Sequence, residues 1–280
     1  MPKLSSHISE LQSHYEIVVV GSGYGGAIAA SRLARAGRDV CLLERGRERW
    51  PGEYPDTSWE GVRDLQVHLP GGRHGDPTAL FDVRVGDVSA VVGCGLGGTS
   101  LINANVSKEP DPRLWNERCW PPALVADLDH GLKDGYARAR AMLRPTHSPG
   151  HPTRKLAALQ AGAVGAGLGD AYTRADINVA FTDGVNAAGV YQHCCTLCGD
   201  CVSGCNVGAK TTTLMTYLPD AWHHGAKIFT EVAVRYLSRD GDEWIVHYDL
   251  VGVGRERFGA GDSFVRADRV ILAAGTYGST

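Results

Sequence analysis

The stretch YEIVVVGSGYGGAIAASRLARAGRDVCLLE, residues 15–44, decides the fold class. Its β-branched run at 15–20 predicts a buried strand, and the Ala- and Leu-rich residues up to Ala36 predict a helix. Residues 39–43 predict a second strand. A strand, a glycine turn, a helix and another strand within about thirty residues form a βαβ unit, so we expect an α/β fold with a parallel sheet.

The glycine turn at residues 21–26 matches the pattern G-x-G-x-x-G and indicates a dinucleotide site, because it follows a predicted strand and opens a predicted helix. Gly23 lets the backbone approach a pyrophosphate, and the helix N-terminus offers N–H groups to it. Glu44 ends the next strand, where its carboxylate accepts ribose hydroxyls and repels a 2′-phosphate. The residues assigned to this half of the site are Gly21, Gly23, Tyr24, Gly25, Gly26 and Glu44.

A second glycine cluster, GCGLGGTSLIN at residues 93–103, favours FAD over NAD. The spacing of the first turn does not distinguish the two cofactors. A long FAD needs a second contact region, and a separate glycine loop provides close-approach backbone for it. Two alternatives stay open: a tight loop without ligand, and an NAD-dependent reductase, which predicts a protein without flavin colour.

These motifs resemble the glucose–methanol–choline (GMC) family of FAD oxidoreductases. Residues 21–26 with Glu44 match its nucleotide-binding turn, residues 93–116 resemble its first signature, and residues 275–279 resemble the start of its second signature. Ser107 departs from the family pattern. Residues 101–110 are most similar to the bacterial cholesterol oxidases. Because the chain stops at Thr280 inside the second motif, we expect the N-terminal portion of such a protein.

The resemblance implies a GR2-type FAD-binding Rossmann domain, C-terminally truncated, with an inserted substrate-covering region. The implied boundaries are 14–125 for the first part of the FAD domain, 126–189 for the inserted region, and 190–280 for the cysteine motif and second part. The resemblance places Gly97, Gly98 and Ser100 at the pyrophosphate or flavin, Asn103 and Val106 near the isoalloxazine, the Val234 backbone against adenine, and Gly275 in the second signature.

The implied reaction is oxidation of an alcohol, with a sterol as the expected substrate and hydride transfer to the flavin. The family's catalytic histidine and its partner lie in the C-terminal half, and none of the eleven histidines matches that motif, so we assign no catalytic residue. The electron acceptor is oxygen or a carrier protein. Alternatives are an Fe–S-containing flavin dehydrogenase, or a truncated FAD-binding chain without alcohol turnover.

Four cysteines with the spacing C-x2-C-x2-C-x3-C, namely Cys195, Cys198, Cys201 and Cys205, predict a metal site. The spacing is that of bacterial ferredoxins, with Asn206 where proline is usual. A zinc site with four cysteine ligands usually divides them into two separated pairs. An Fe–S cluster, a zinc site and reduced thiols that hold no metal all remain open.

Composition limits the remaining classes of function. The chain has 280 residues, a formal net charge of −3 and 43% hydrophobic residues, so nothing indicates nucleic-acid binding. No apolar run of about 18 residues predicts a membrane span. The N-terminal residues lack a basic segment followed by an apolar one, so we expect a cytoplasmic protein with reduced thiols.

Beyond the first unit, the residue patterns predict further elements. Residues 45–85, rich in Gly, Pro, Trp and Asp, indicate an irregular segment. Residues 232–250 predict a β-hairpin turning at Asp240-Gly241. Helices are predicted at 123–144, 154–166 and 211–223, and strands at 227–229 and 269–273.

Overall fold

The computed structural model describes residues 2–150, 153–253 and 263–279, which leaves Thr280, where the sequence stops, outside the described residues. The strands are β1 (His14–Val20), β2 (Val40–Leu43), β3 (Leu65–Leu69), β4 (Gly72–His74), β5 (Phe81–Arg84), β6 (Ala90–Gly93), β7 (Gly184–Val185), β8 (Tyr191–Gln192), β9 (Lys227–Phe229), β10 (Val232–Asp240), β11 (Glu243–Leu250) and β12 (Ser263–Leu272). The α-helices are α1 (Tyr24–Arg35), α2 (Ser58–Arg63), α3 (Pro122–Ala126), α4 (Lys133–Leu143), α5 (Arg154–Gly165), α6 (Tyr217–His223) and α7 (Thr276–Ser279).

The main sheet has the strand order β10-β11-β12-β1-β2-β9. Strands β12, β1, β2 and β9 are parallel, and β10, β11 and β12 form an antiparallel extension. In the register of the central strand, Val19 lies opposite Leu42 on β2 and Ile271 on β12. The predicted α/β fold with a Rossmann-type parallel sheet is confirmed.

Both faces of β1 are covered, which explains its uninterrupted apolar run. Ile17 and Val19 belong to the core that includes α1 and α6, whereas Val18 and Val20 pack in a second core with the antiparallel extension. The small residues of α1, among them Ala27, Ala30 and Ala34, bring the helix close to the sheet.

The prediction that residues 45–85 are irregular was wrong. This segment contains α2, β3, β4 and β5, and with β6 the strands form a four-stranded sheet in the order β4-β3-β5-β6. These strands have three to five residues each, too few for a clear alternation in the sequence. The sheet is created by the pairing of β3 with β4 and β5 and of β5 with β6, which the local sequence does not encode.

The prediction of a helix at 211–223 was wrong for the first half of this range, because α6 begins at Tyr217. The preceding threonines use their hydroxyls on nearby backbone and side-chain groups, as when the Thr213 hydroxyl meets the carbonyl oxygen of Gly97 at 3.1 Å. The predicted hairpin and the strand at 227–229 are confirmed, and β12 begins at Ser263 rather than Arg269.

The helical predictions in the middle of the chain are confirmed in kind. The stretch 123–144 divides into α3, a π-helical turn at Leu128–Leu132 and α4, while α5 covers the second predicted helix. In the described part of the chain, no helix has the length and apolar character needed to cross a membrane.

Candidate functional site

The first glycine loop joins β1 to α1 in a turn that admits no side chain at two positions. Gly21 has a φ of 95°, and a Cβ there would lie 2.5 Å from the carbonyl oxygen of Ala273. A Cβ at Gly26 would lie 1.9 Å from the carbonyl oxygen of Gly21. A Cβ at Gly23 would meet nothing within 4 Å, so this N-cap backbone of α1 faces open space.

The second glycine loop lies directly against the first. A Cβ at Gly98 would come within 2.8 Å of the Gly23 Cα atom, and Gly98 itself has a φ of 55°. The Ser22 hydroxyl accepts a hydrogen bond of 2.9 Å from the backbone N–H of Gly97. The two loops predicted to contact one cofactor therefore touch each other, although about seventy residues separate them in the sequence.

A cavity of about 760 Å³ opens between these loops at the carboxyl ends of the parallel strands. Ligands of open α/β sheets bind at this edge. The sequence-predicted cofactor residues that line the cavity are Gly21, Gly23, Tyr24, Gly25, Glu44, Gly98, Val234 and Gly275.

Glu44 has two functions in this arrangement. Its carboxylate accepts hydrogen bonds from the backbone and hydroxyl of Ser22, at 3.0 and 2.5 Å, and from the Gly46 backbone at 2.8 Å. These bonds hold the first glycine loop in place. A carboxylate offers about four lone-pair sites, so one remains for a ribose hydroxyl in the cavity that Glu44 also lines.

The other predicted cofactor residues lie outside the cavity lining. Gly26 packs beneath the first loop, and Gly97 and Ser100 lie behind the second, where the Ser100 hydroxyl donates to the Gly97 carbonyl at 2.7 Å. Asn103 reaches the cavity through its side-chain amide, which donates to the Tyr24 hydroxyl at 3.2 Å. Val106 is 57% exposed and bridges to Ile177 away from the cavity.

Sequence reasoning missed two residues that join the loops. Ser22 is fully buried and connects Glu44 to the second loop. Thr213, also fully buried, donates its backbone N–H to the Ser100 hydroxyl at 3.1 Å. Ser22 occupies a variable position of the glycine motif, and Thr213 lies in a stretch that was predicted to be helical, so neither residue had a distinguishing sequence signal.

One part of the cavity wall comes from the segment that was predicted to be irregular. Asp82 lies between two arginines that also line the cavity, with Arg45 at 2.5 Å and Arg84 at 2.9 Å. Burial acts to raise the pKa of Asp82, but hydrogen bonds from Arg84 and Arg45 outweigh it and lower the pKa. Two guanidinium groups around one carboxylate leave this wall net positive, which suits a ligand with phosphates.

A protein-family model described as GMC oxidoreductase matches residues 15–280. The chain belongs to the GMC oxidoreductase family. Members of this family are FAD-dependent oxidoreductases acting on CH–OH donors, so the resemblance noted in the glycine motifs is confirmed over nearly the whole chain.

Cholesterol oxidases are among the relatives of this GMC chain. That of Mycobacterium tuberculosis is 29% identical over 290 residues, covering 96% of this chain and 47% of the relative. That of Acinetobacter baumannii is 30% identical over 241 residues, covering 79% of this chain and 40% of the relative. The GMC chain thus spans less than half the length of these relatives.

Two further matches broaden the comparison. A long-chain-alcohol oxidase of Arabidopsis thaliana is 30% identical over 229 residues, which cover 80% of this chain and 27% of the relative. The crystal structure of pyridoxine 4-oxidase from Mesorbium loti superposes with a TM-score of 0.53 at 19% identity, covering 93% of this chain and 49% of that structure. The structural match shows a shared fold.

The cysteine motif of this GMC chain forms a surface loop between β8 and α6. Burial, together with the neighbouring thiols of Cys201, Cys205 and Cys198, raises the pKa of Cys195, so these three thiols lie near Cys195. In the described part of the chain they form no group of three whose sulfur atoms all lie within 4.8 Å. Zn–S bonds of about 2.3 Å place tetrahedral ligands about 3.8 Å apart.

The buried Lys210 fastens this cysteine loop to the second glycine segment. Its ammonium group donates to the carbonyl oxygens of Leu101, Asn103 and Cys201, at 2.9, 2.8 and 2.7 Å. Burial lowers the pKa of Lys210 to about 8, against the thiols of Cys201 and Cys205, which act to raise it. No sequence pattern distinguished this lysine from the surface lysines.

Proposed function

We propose that this chain binds FAD in the cavity between the two glycine loops, and that the enzyme oxidises an alcohol, with a sterol as its substrate. The observation that carries the proposal is the close approach of Gly23 and Gly98. A Cβ added at Gly98 would lie 2.8 Å from the Cα atom of Gly23. One elongated nucleotide is able to touch both loops because both line the same cavity. The open backbone at Gly23 supports the same conclusion, because a phosphate requires that space.

The residues of the chain have distinct parts in holding this cofactor. The backbone at Gly23 and the N-terminus of α1 would bind the pyrophosphate, Glu44 the ribose, and the backbone near Val234 the adenine. The amide of Asn103 would orient the flavin end through Tyr24, to which it is hydrogen-bonded. When bound, FAD supplies the hydride acceptor for the alcohol.

The proposed domain division has support from the sheet. Strands β1 and β2 come from residues 14–125, while β9 to β12 come from residues 190–280, and all belong to one sheet. The intervening residues 126–189 contribute α4 and α5 and no strand of that sheet within the described residues. We therefore propose a discontinuous FAD domain with an inserted helical region.

Flavin titration tests the cofactor. The purified chain should bind FAD in a 1:1 ratio and develop flavin absorbance bands, whereas FMN and NAD should bind much more weakly. Gly98→Val places a side chain against Gly23 and should abolish flavin binding. A folded protein that ignores FAD, or one that loses nothing on this substitution, would contradict the proposal.

The substrate needs a separate assay. Cholesterol and a long-chain primary alcohol should be compared by peroxide formation and by dye reduction, since relatives of both classes match this chain. We expect turnover with the sterol from the full-length enzyme, because none of the histidines of this chain matches the family's catalytic motif. Turnover with the primary alcohol alone would show that the substrate is a long-chain alcohol and not a sterol. Flavin retention without turnover would favour an electron-transfer function for the chain.

A second candidate is an Fe–S-containing flavin dehydrogenase that passes electrons to a carrier. The observation that favours it is the set of four thiols on one loop, three of which act on the pKa of the fourth, Cys195; Lys210 holds this loop close to the second glycine segment. A cluster there would add a one-electron redox centre. Iron and sulfide analysis of anaerobically purified protein tests it, with Cys198→Ser expected to lose the cluster and Cys119→Ser, outside the motif, expected to keep it.

A further inference from the structure

Lys210 joins two segments that lie about one hundred residues apart in sequence. Its side chain is 2% exposed, and its three donors go to the carbonyl oxygens of Leu101, Asn103 and Cys201. An ammonium group has three N–H donors, so all of its hydrogen-bonding capacity is used. Burying a charge costs far more free energy than burying an apolar side chain of similar length. The connection that Lys210 makes between the two segments therefore calls for a functional explanation.

The connection continues from Lys210 to the cavity. The backbone carbonyl oxygen of Asn103 accepts a hydrogen bond from the Lys210 ammonium group, and the side-chain amide of Asn103 donates to the Tyr24 hydroxyl at 3.2 Å. Tyr24 lines the cavity, whereas no residue of the cysteine loop at 194–205 does. Hydrogen bonds therefore connect Cys201 through Lys210 to the backbone of Asn103, and the side chain of the same residue continues the connection to the cavity wall at Tyr24.

We propose that Lys210 is a positioning residue that couples the cysteine loop to the cofactor cavity. A nucleotide that fixes Tyr24 and Asn103 also fixes the loop through Lys210. Coupling free energies are reciprocal. The factor by which bound nucleotide stabilises the ordered loop is therefore also the factor by which loss of that order weakens nucleotide binding. The inference rests on the proposed function, because the ligand of the cavity is taken to be FAD.

Hydrogen exchange of the unmodified chain, with and without FAD, is the first test. Amides of residues 195–205 should exchange about tenfold more slowly when FAD is bound, although this loop does not line the cavity. If FAD binds and exchange in the loop is unchanged, the coupling is overturned while the proposed function stands. If FAD does not bind at all, both are overturned.

Lys210→Met is the second test, because methionine keeps the length of the side chain and removes its donors. FAD should then no longer protect residues 195–205, and the dissociation constant of FAD should rise about tenfold. The matched control is Lys155→Met on the exposed face of α5, which should leave both values unchanged.

A purely structural role of Lys210 gives a different result. In that case Lys210→Met would lower the melting temperature and speed hydrogen exchange in many segments. The ratio of exchange rates in the loop with and without FAD would, however, equal that of the unmodified chain. That outcome overturns the coupling. Should Lys210→Met fail to fold, the exchange experiment on the unmodified chain decides alone.

Discussion

Helices α1 and α5 have the same length and similar alanine-rich sequences, yet they differ in what they bury. Both have 12 residues. In α1, five residues are buried against the sheet and α6, whereas α5 has no buried residue and leaves Leu159 and Val164 exposed. Local sequence favours a helix in both segments, but within the described residues only α1 buries an apolar face against the sheet and α6, and this packing adds stability.

The same contrast extends to the regions around these helices. The Rossmann part carries two cores on the faces of its sheet, and the site is formed where its loops converge. Helix α4, in the inserted region, buries only Leu143. Substitutions in the Rossmann part should therefore change stability and cofactor binding, and matched substitutions in α5 or α4 should change little.

The largest expected effect is that of Gly26→Ala. The new Cβ would lie 1.9 Å from a backbone oxygen, which forces the turn apart. We expect a loss of about 4 kcal/mol or more in the free energy of unfolding, and loss of flavin binding. Its control is Gly162→Ala in α5, where the Cβ meets nothing within 4 Å and should stabilise by about 0.5–1 kcal/mol. Urea denaturation measures both; equal effects would contradict the comparison.

Truncation of an apolar side chain should come next. Leu218 on α6 is fully buried in the core shared with α1, so Leu218→Ala should cost about 3 kcal/mol through lost burial and an internal cavity. Leu159→Ala, at a position 63% exposed, should change stability by less than about 0.5 kcal/mol. A large loss at Leu159 would show that α5 is covered by a partner in solution.

A buried charge provides the third comparison. Asp220 on α6 accepts hydrogen bonds from Ser31 at 2.5 Å and from Arg35 at 2.8 Å, both on α1. Asp220→Asn should cost about 2 kcal/mol, reduced from the value for a fully buried pair because Arg35 is partly exposed. Asp134→Asn, which breaks an exposed pair with Arg138 on α4, should cost less than about 0.5 kcal/mol.

The smallest expected effect is the pH dependence of the stability difference between the unmodified chain and Asp220→Asn. Burial acts to raise the pKa of Asp220, but hydrogen bonds from Arg35 and Ser31 outweigh it and lower the pKa below the ordinary value of 3.8. A carboxylate with a depressed folded-state pKa stabilises above the unfolded pKa and loses this contribution as pH falls through the folded pKa. The stability gap between the unmodified chain and Asp220→Asn should be constant from about pH 7 to about pH 5 and shrink below about pH 4. A gap that already shrinks near pH 6 would contradict the pKa direction.

The site was only partly accessible to prediction. Glycines at 21, 23 and 26 carry a signal because a close turn tolerates no side chain, and Glu44 follows from its place at the end of β2. Ser22, Thr213 and Lys210 carry no such signal, since serine, threonine and lysine have many uses. Their importance comes from partners about seventy or more residues away in the sequence.

The amino-acid sequence by itself determined the βαβ unit, the hairpin and the two glycine loops, because these depend on side-chain periodicity and on backbone angles available to glycine. Tertiary structure alone decided that the two loops touch, that short strands between 65 and 93 form a second sheet, and that the cysteine loop is fastened to the cavity wall. These outcomes depend on contacts between segments distant in sequence, whose energies a local pattern does not record.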